Sequence, residues 1–274
     1  MTPPQDSGNP APPPPDPLRQ FTLLRTQHAK LHVERVHMIV NVKRNILAGF
    51  QRKLGSHDHA FKKAEWEVGR LKRELELVRK SAENGEVDYD SISGALEDEF
   101  TPQEQKIDDA PRQMELAHRR LTTMMTREQT DAFQARYRRL VELLHPDLRF
   151  DQAPAALNLW TRASEAYAAG DAPELEAIEI LAADLPIDNL DNLRVTEIEE
   201  RVTRLKSVNQ AAINQIVAMR NEWPFPLANK LRDEEWIKSQ KAEYEQKTAA
   251  LVAERKDLVA ELNHILDTRP SGHE

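Results

Sequence analysis

The residues best able to do chemistry are His145 and Asp147, which flank Pro146 at the end of a basic amphipathic segment. Proline lacks an N–H and disfavours helix at the residue before it, so the sequence predicts a helix over 127–144 that ends there. Apolar residues at three- and four-residue steps share one face of this helix, namely Tyr137, Leu140, Val141 and Leu144. Arginines occupy the other side, namely Arg136, Arg138 and Arg139. We therefore expect an exposed loop that presents an imidazole and a carboxylate beside a positive helix face.

An enzymatic role for this loop has little support in the sequence. His145 has no serine, cysteine or metal-ligand partner nearby along the chain to form a nucleophile and base pair. The acidic stretch 84–101 lacks the Asp-x-Asp-x-Asp-Gly spacing of a calcium loop, and nothing in it would raise the pKa of one carboxyl group. We expect a protein that is not an enzyme and that binds no cofactor.

The histidines of the N-terminal part raise the question of a metal site. His28 and His32 lie four residues apart on a predicted helix, and three more follow, His37, His57 and His59. Spacing alone permits a site, but the His-Glu-x-x-His arrangement is missing because residues 29–31 are Ala-Lys-Leu. The chain has no cysteine to complete a set of ligands. We therefore predict surface histidines and no metal.

A second helix is predicted over 155–167, beyond the loop, and Gly170 supplies its C-terminal stop. The two helices and the loop together resemble the J-domain of DnaJ-type co-chaperones. The resemblance rests on two runs, Tyr137-Arg138-Arg139-Leu140 followed by His145-Pro146-Asp147, and Trp160 followed by Glu165-Ala166-Tyr167. It covers about 50 of the 274 residues. Glu142 departs from the family, which favours neutral or basic residues there, and Leu143 stands where the family commonly has a lysine.

The resemblance implies that the protein docks on a DnaK-type chaperone and accelerates its ATP hydrolysis, without bond-making chemistry of its own. The partner-binding residues would be Tyr137, Arg138, Arg139, His145, Pro146 and Asp147. An arginine face favours an acidic partner surface, which steers the encounter. The standard substrate-holding modules are not expected, because the sequence lacks a glycine/phenylalanine-rich linker and cysteine pairs, and the protein client is unknown. The alternative is a structural coiled-coil scaffold whose J-like module is degenerate.

Long helices are predicted on either side of this module. The N-terminal helical arm, 18–125, begins with a helix over 18–54 that Gly55-Ser56 is predicted to break. A second helix follows over 60–80, and the two would form an antiparallel hairpin. A third helix would then run on to Met125.

The C-terminal segment, 187–268, carries a coiled-coil pattern. Its first seam alternates steps of three and four residues, through Val195, Ile198, Val202, Leu205, Asn209, Ala212, Ile216, Met219 and Trp223. Asn209 takes an a position, where a buried amide fixes the register of the strands. After a Trp-Pro-Phe-Pro connector a second helix begins at Asp233, which predicts an intramolecular antiparallel hairpin. A homodimer through the same seams is the rival.

Composition sets the remaining expectations. The net charge of -8 argues against nonspecific nucleic-acid binding, although Arg136, Arg138, Arg139 and Arg149 keep a salt-sensitive basic patch as an alternative. The start of the chain is not a secretory signal, and no apolar run would span a membrane. The absence of cysteine fits a reducing compartment, so we expect a cytoplasmic protein with neither nucleic-acid nor membrane partners.

The fold class that follows is all-α, with elongated helical hairpins and a coiled coil flanking a small J-domain-like helical module at 126–186. A disordered proline-rich tail is expected at 1–17 and a short tail at 269–274.

Overall fold

The computed structural model describes residues 16–83, 88–150, 153–186 and 193–267, and these residues form an all-α fold without strands. The elements are α1 (Pro17–His37), a π-helical turn (Met38–Val42), α2 (Lys43–Glu83), α3 (Tyr89–Thr122), α4 (Arg127–Leu144), α5 (Pro154–Ala169), α6 (Ala172–Ala183), α7 (Val195–Asn221), α8 (Leu227–Lys230) and α9 (Glu234–Asp267). No helix among the described residues combines the length and apolarity that a bilayer requires. The predicted tails lie outside these residues, except that Asp16 caps α1, which begins at Pro17.

The described residues divide into two compact units, and these do not follow the predicted linear boundaries. One unit contains 16–41 and 125–221, and the other contains 42–124 and 222–267. The predicted N-terminal arm and C-terminal segment are therefore each divided between the units. In each unit a helix from the N-terminal half packs along a helix from the C-terminal half, α1 with α7 and α2 with α9.

The first unit has one large apolar core, to which α1, α4, α5, α6 and α7 all contribute. Its fully buried side chains include Phe21, Tyr137, Leu140, Leu144, Leu148, Tyr167, Leu175, Ile178 and Leu205. Complete burial of one such side chain contributes about 1.5–3 kcal/mol. The predicted J-like module at 126–186 is thus continuous with the cores of α1 and α7, rather than a separate body.

The predicted seam of α7 is buried in its middle and exposed at its ends. Ile198, Val202, Leu205, Asn209 and Ile216 are buried. Val195 is 60% exposed and Trp223 65% exposed, so the predicted seam is longer than the buried one. The seam packs on α1. The predicted hairpin of α7 with α9 does not form, because α7 pairs with α1 and α9 pairs with α2, each far away in the sequence.

The second unit corrects the predicted break at Gly55-Ser56. Helix α2 runs through both residues from Lys43 to Glu83, and so the hairpin of 18–54 with 60–80 does not form. Gly55 is buried beneath α3, where an added Cβ would lie 3.0 Å from the Met114 sulfur. The glycine therefore permits close helix packing without ending the helix, at a cost of about 1 kcal/mol relative to alanine.

Helix α3 also differs from its prediction. It begins at Tyr89, within the acidic stretch 84–101, because the Asp88 carboxylate accepts from the Ser91 N–H at 3.0 Å and caps it. It includes Pro102 and Pro111, both exposed, and it ends at Thr122. Its buried residues Ile92 and Leu96 pack with Val78 of α2, a contact made by one apolar face.

Candidate functional site

Helix α4 begins and ends where the sequence predicts. The Thr126 hydroxyl accepts from the Gln129 N–H at 3.2 Å, and the Gln129 side chain accepts from the Thr126 N–H at 2.9 Å, which forms a capping box. At the other end His145 leaves helical geometry with φ −62° and ψ 129°, as expected for a residue before proline. The backbone then turns, with the Leu148 N–H donating to the His145 carbonyl at 2.9 Å.

Helix α5 packs on α4 through stacked aromatic rings. The Tyr137 and Tyr167 rings lie 4.1 Å apart at an interplanar angle of 12°, and the Phe133 ring also stacks on Tyr167, at 4.9 Å. Tyr137 is 1% exposed. Tyr137 was predicted to bind a partner, but in this structure its ring builds the helix pair and presents no surface. Gly170 ends α5 in the left-handed conformation, with φ 78°, as predicted.

The prediction of an exposed loop is wrong for the side chain of His145. Its ring lies 4.8 Å from the rings of both His28 and His32 on α1, and 4.7 Å from Trp160 on α5, in edge-to-face arrangements. All three residues of the His-Pro-Asp loop are half-buried. The cause is the α1–α4 packing, which joins residues more than a hundred positions apart and has no signature in local periodicity.

Hydrogen bonds define the proton positions on two of these rings. The Asn209 amide donates to the Leu24 carbonyl at 3.0 Å, so its oxygen faces His28 and accepts from Nδ1–H at 2.9 Å. Neutral His28 therefore carries a lone pair on Nε2, and that buried atom has no hydrogen-bond partner among the described residues. His145 differs, because its Nδ1 accepts from the Asp147 N–H at 3.1 Å, which places the proton of the neutral ring on Nε2.

Burial keeps the cluster of His28, His32 and His145 neutral. Desolvation is the main cause that lowers the pKa of His32 to about 3, with smaller contributions from the neighbouring His145, Arg35 and His28. Desolvation and the charge of His28 lower the pKa of His145 to about 4, against an opposing effect of Asp147. The pKa of His28 is lowered by burial as well, although the hydrogen bond to Asn209 opposes the change. Water no longer solvates a charged imidazole at these positions, which is the common cause.

Asp147, the other chemical group of the loop, has an intramolecular partner. Its carboxylate lies 2.6 Å from the Arg204 guanidinium on α7. The Arg204 side chain is 58% exposed, so water competes for this ion pair. Exposed pairs of this kind stabilise a fold by about 0–1 kcal/mol.

The arginines predicted to form a basic face differ in how far they are free to bind a partner. Arg136 and Arg139 both bind Glu179 of α6, at 2.9 and 2.5 Å. Arg138 is exposed, and no ion pair to it is found in the described part of the chain. Arg149 is 5% exposed and donates to the carbonyls of Leu143 and Pro186, so it serves the end of α4 rather than a nucleic-acid surface. The positive face is therefore narrower than the sequence indicates.

Sequence reasoning missed the residues that surround His145. His28 is 5% exposed and His32 is half-buried, so the prediction of surface histidines is wrong for both. Two signals were present: the four-residue spacing of His28 and His32, and Asn209 at an a position. Neither signal reveals that the third nitrogen comes from His145, because that contact depends on how α1 and α4 pack.

The site is thus a helix–loop–helix whose His-Pro-Asp loop contacts α1 through His145 and α7 through Asp147. Comparisons with protein-family models, with curated proteins and with solved structures found no match to this chain.

Proposed function

We propose that this protein is a co-chaperone or adaptor that docks on a DnaK-type chaperone through its J-like module and stimulates ATP hydrolysis by that chaperone. One observation carries the proposal: α4, the His-Pro-Asp loop and α5 form a helix–loop–helix stacked through Tyr137 and Tyr167. The sequence resemblance to the J-domain depends on those same residues. In this proposal the protein is cytoplasmic, makes no bonds itself, needs no cofactor and serves an unidentified client.

The groups open to a partner lie on α4 and at the tip of the loop. Arg138 is exposed, Arg139 is 55% exposed beside Glu179, and Pro146 is half-buried. Guanidinium groups on a rigid helix favour an acidic partner surface and accelerate the encounter. Tyr137 acts indirectly, since its stacked ring holds α5 against α4. The docking surface is therefore the solvent side of α4 continued by Pro146 and Asp147.

Docking through the loop requires competition with contacts inside the chain. Asp147 must exchange Arg204 for a group on the chaperone, and that exposed ion pair is worth about 1 kcal/mol at most. Loss of the pair should therefore raise the population of available loops by up to about fivefold. Release of the His145 side chain should cost more free energy, because it breaks packing contacts with the rings of His28, His32 and Trp160.

The test is the steady-state ATPase rate of a DnaK-type chaperone, measured with the purified full chain. The wild-type chain should raise the rate, His145→Gln should abolish the effect with helicity retained, and Arg204→Ala should increase the effect by up to about fivefold. Arg220→Ala is the matched control, because Arg220 is also on α7 and forms a similar exposed ion pair, with Glu34 of α1 instead of the loop. The control should behave as wild type.

A second function, a helical scaffold with a degenerate J-like module, is favoured by a specific observation. The polar groups of the proposed docking site have partners within the chain, Asp147 with Arg204 and Arg139 with Glu179. A scaffold needs no opening of this loop. Absence of ATPase stimulation by both the wild-type chain and Arg204→Ala would favour the scaffold.

A further inference from the structure

We propose that His28, His32 and His145 form a binding site for one divalent transition-metal ion that prefers imidazole, with Zn²⁺ as the reference ion. One ring nitrogen of each residue lies within 4.8 Å of the other two. In a tetrahedral site with Zn–N distances of about 2.0–2.1 Å, ligand nitrogens lie about 3.3 Å apart. Ring rotations that move each nitrogen by about 1 Å would therefore complete three ligands.

His28 supplies the second observation, independent of that spacing. The residue is 5% exposed, and its buried Nε2 has no hydrogen-bond partner among the described residues. A buried nitrogen that has lost water and gained nothing costs free energy. A metal ion at the centre of the cluster would give that lone pair a partner.

Asn209 has the arrangement of a residue that positions a metal ligand. Its amide donates to the Leu24 carbonyl and its oxygen accepts from His28 Nδ1–H at 2.9 Å. Imidazole ligands in proteins commonly donate their second N–H to such an acceptor, which fixes the tautomer and the ring orientation. The lone pair of His28 is thereby held on Nε2, the nitrogen that would bind the ion.

The three imidazoles would leave a fourth position for water, the usual complement of a three-ligand zinc site. His145 must adjust more than His28, because its Nδ1 accepts from the Asp147 N–H and its proton therefore lies on Nε2. Binding through Nε2 places the remaining proton on Nδ1 and breaks that hydrogen bond. Metal binding should accordingly change the environment of the Asp147 amide, within the His-Pro-Asp loop.

The experiment titrates the tag-free, metal-free full chain with Zn²⁺ by calorimetry and with Co²⁺ by visible spectroscopy. We expect one ion per chain, with Co²⁺ bands typical of a four-coordinate site of three nitrogens and one water. His28→Gln and His145→Gln should abolish binding at this stoichiometry. Asn209→Ala should weaken it about 10–100-fold, while Asn209→Asp, which keeps an acceptor for His28, should restore most of the affinity.

His59→Gln is the matched control. His59 also has a buried ring nitrogen without a partner, yet it belongs to no metal-capable group in the described part of the chain. Its substitution should leave the affinity unchanged, and circular dichroism should show that all variants retain their helices. The proposal is overturned if no ion binds at one per chain, or if His28→Gln and His59→Gln have the same effect. These results do not depend on the ATPase measurements.

Discussion

The two long helix pairs of the molecule use polar residues in different ways. Between α1 and α7, His28 and Asn209 form a hydrogen bond of 2.9 Å, and they are only 5% and 2% exposed. Along α2 and α9 ion pairs with substantial exposure recur, among them Lys53–Glu234, Lys72–Glu254 and Arg255–Glu67, and the Tyr244 hydroxyl donates to the half-buried Asp58 carboxylate at 3.3 Å. The apolar cores differ as well, since the first unit has one large cluster and the second has smaller clusters at Ile46 and at Val78.

This difference indicates that the two helix pairs are held differently: one in a single register, the other by contacts that do not fix a register. A buried amide tolerates only the register that satisfies its hydrogen bonds, so Asn209 specifies how α7 lies on α1. Exposed ion pairs contribute about 0–1 kcal/mol each and re-form easily after small shifts. We infer that α1 and α7 hold the His-Pro-Asp loop in one defined arrangement, whereas α2 and α9 tolerate change.

The largest expected effect is a loss of stability, compared between one leucine of each helix pair. Leu205 of α7 is fully buried, and Leu258 of α9 is half-buried. Leu205→Ala should lower the free energy of unfolding by about 2–5 kcal/mol through lost burial and a residual cavity. Leu258→Ala should cost about 1 kcal/mol, because the transfer term scales with the apolar area buried. Urea denaturation of both variants checks this, and equal losses would contradict the comparison.

The next effect is the pH dependence of the first unit. Burial, His28 and Arg35 together lower the pKa of His145 to about 4, and Asp147 opposes them. Because the unfolded chain binds the proton first, stability is fully present above pH 6.5 and is lost as the pH falls towards 4. The loss should approach about 1.4 kcal/mol per pH unit for each such histidine.

His145→Gln should reduce this slope, since glutamine does not titrate in the range. Trp160 is the only tryptophan in the first unit. In a variant in which Trp66, Trp223 and Trp236 are replaced by Phe, tryptophan fluorescence therefore follows the unfolding of that unit. Denaturation of this chain at several pH values, with and without His145→Gln, gives the two slopes. Equal slopes would show that His145 is not held neutral by folding.

The smallest expected effect concerns the buried polar pair itself. Asn209→Ala leaves His28 Nδ1 without a partner and removes the side-chain donor to the Leu24 carbonyl, and it should cost about 1–3 kcal/mol. Replacing both His28 and Asn209 by Leu should recover much of that loss, because an apolar pair has no polar group to satisfy. Lys72→Ala, which removes an exposed pair of α2 and α9, should cost about 1 kcal/mol or less.

The ends of α4 and α5 could be predicted from the sequence, because they depend on residues that are neighbours in the chain. Thr126 with Gln129, Pro146 and Gly170 define the ends of α4 and α5 because each acts on backbone within a few residues. Gly55 was misinterpreted because its role depends on Met114, a residue of another helix. The predicted partner of α7, the second C-terminal helix, is wrong for the same reason. An apolar seam indicates that a helix has a partner, but it does not identify the partner as α1.

The candidate site follows the same division. The sequence indicated the basic helix and the His-Pro-Asp turn, and it also indicated that Tyr137 shares a face with Leu140 and Leu144. It gave no reason to connect His145 with His28 or Asp147 with Arg204, because those contacts join helices far apart in the chain.

The most direct test of the proposed function is the ATPase rate of a DnaK-type chaperone in the presence of the wild-type chain, Arg204→Ala, Arg220→Ala and His145→Gln. We expect stimulation by the wild-type chain, greater stimulation by Arg204→Ala, the same stimulation as wild type by Arg220→Ala, and none by His145→Gln. Absence of stimulation by both the wild-type chain and Arg204→Ala, with native helicity, would contradict it.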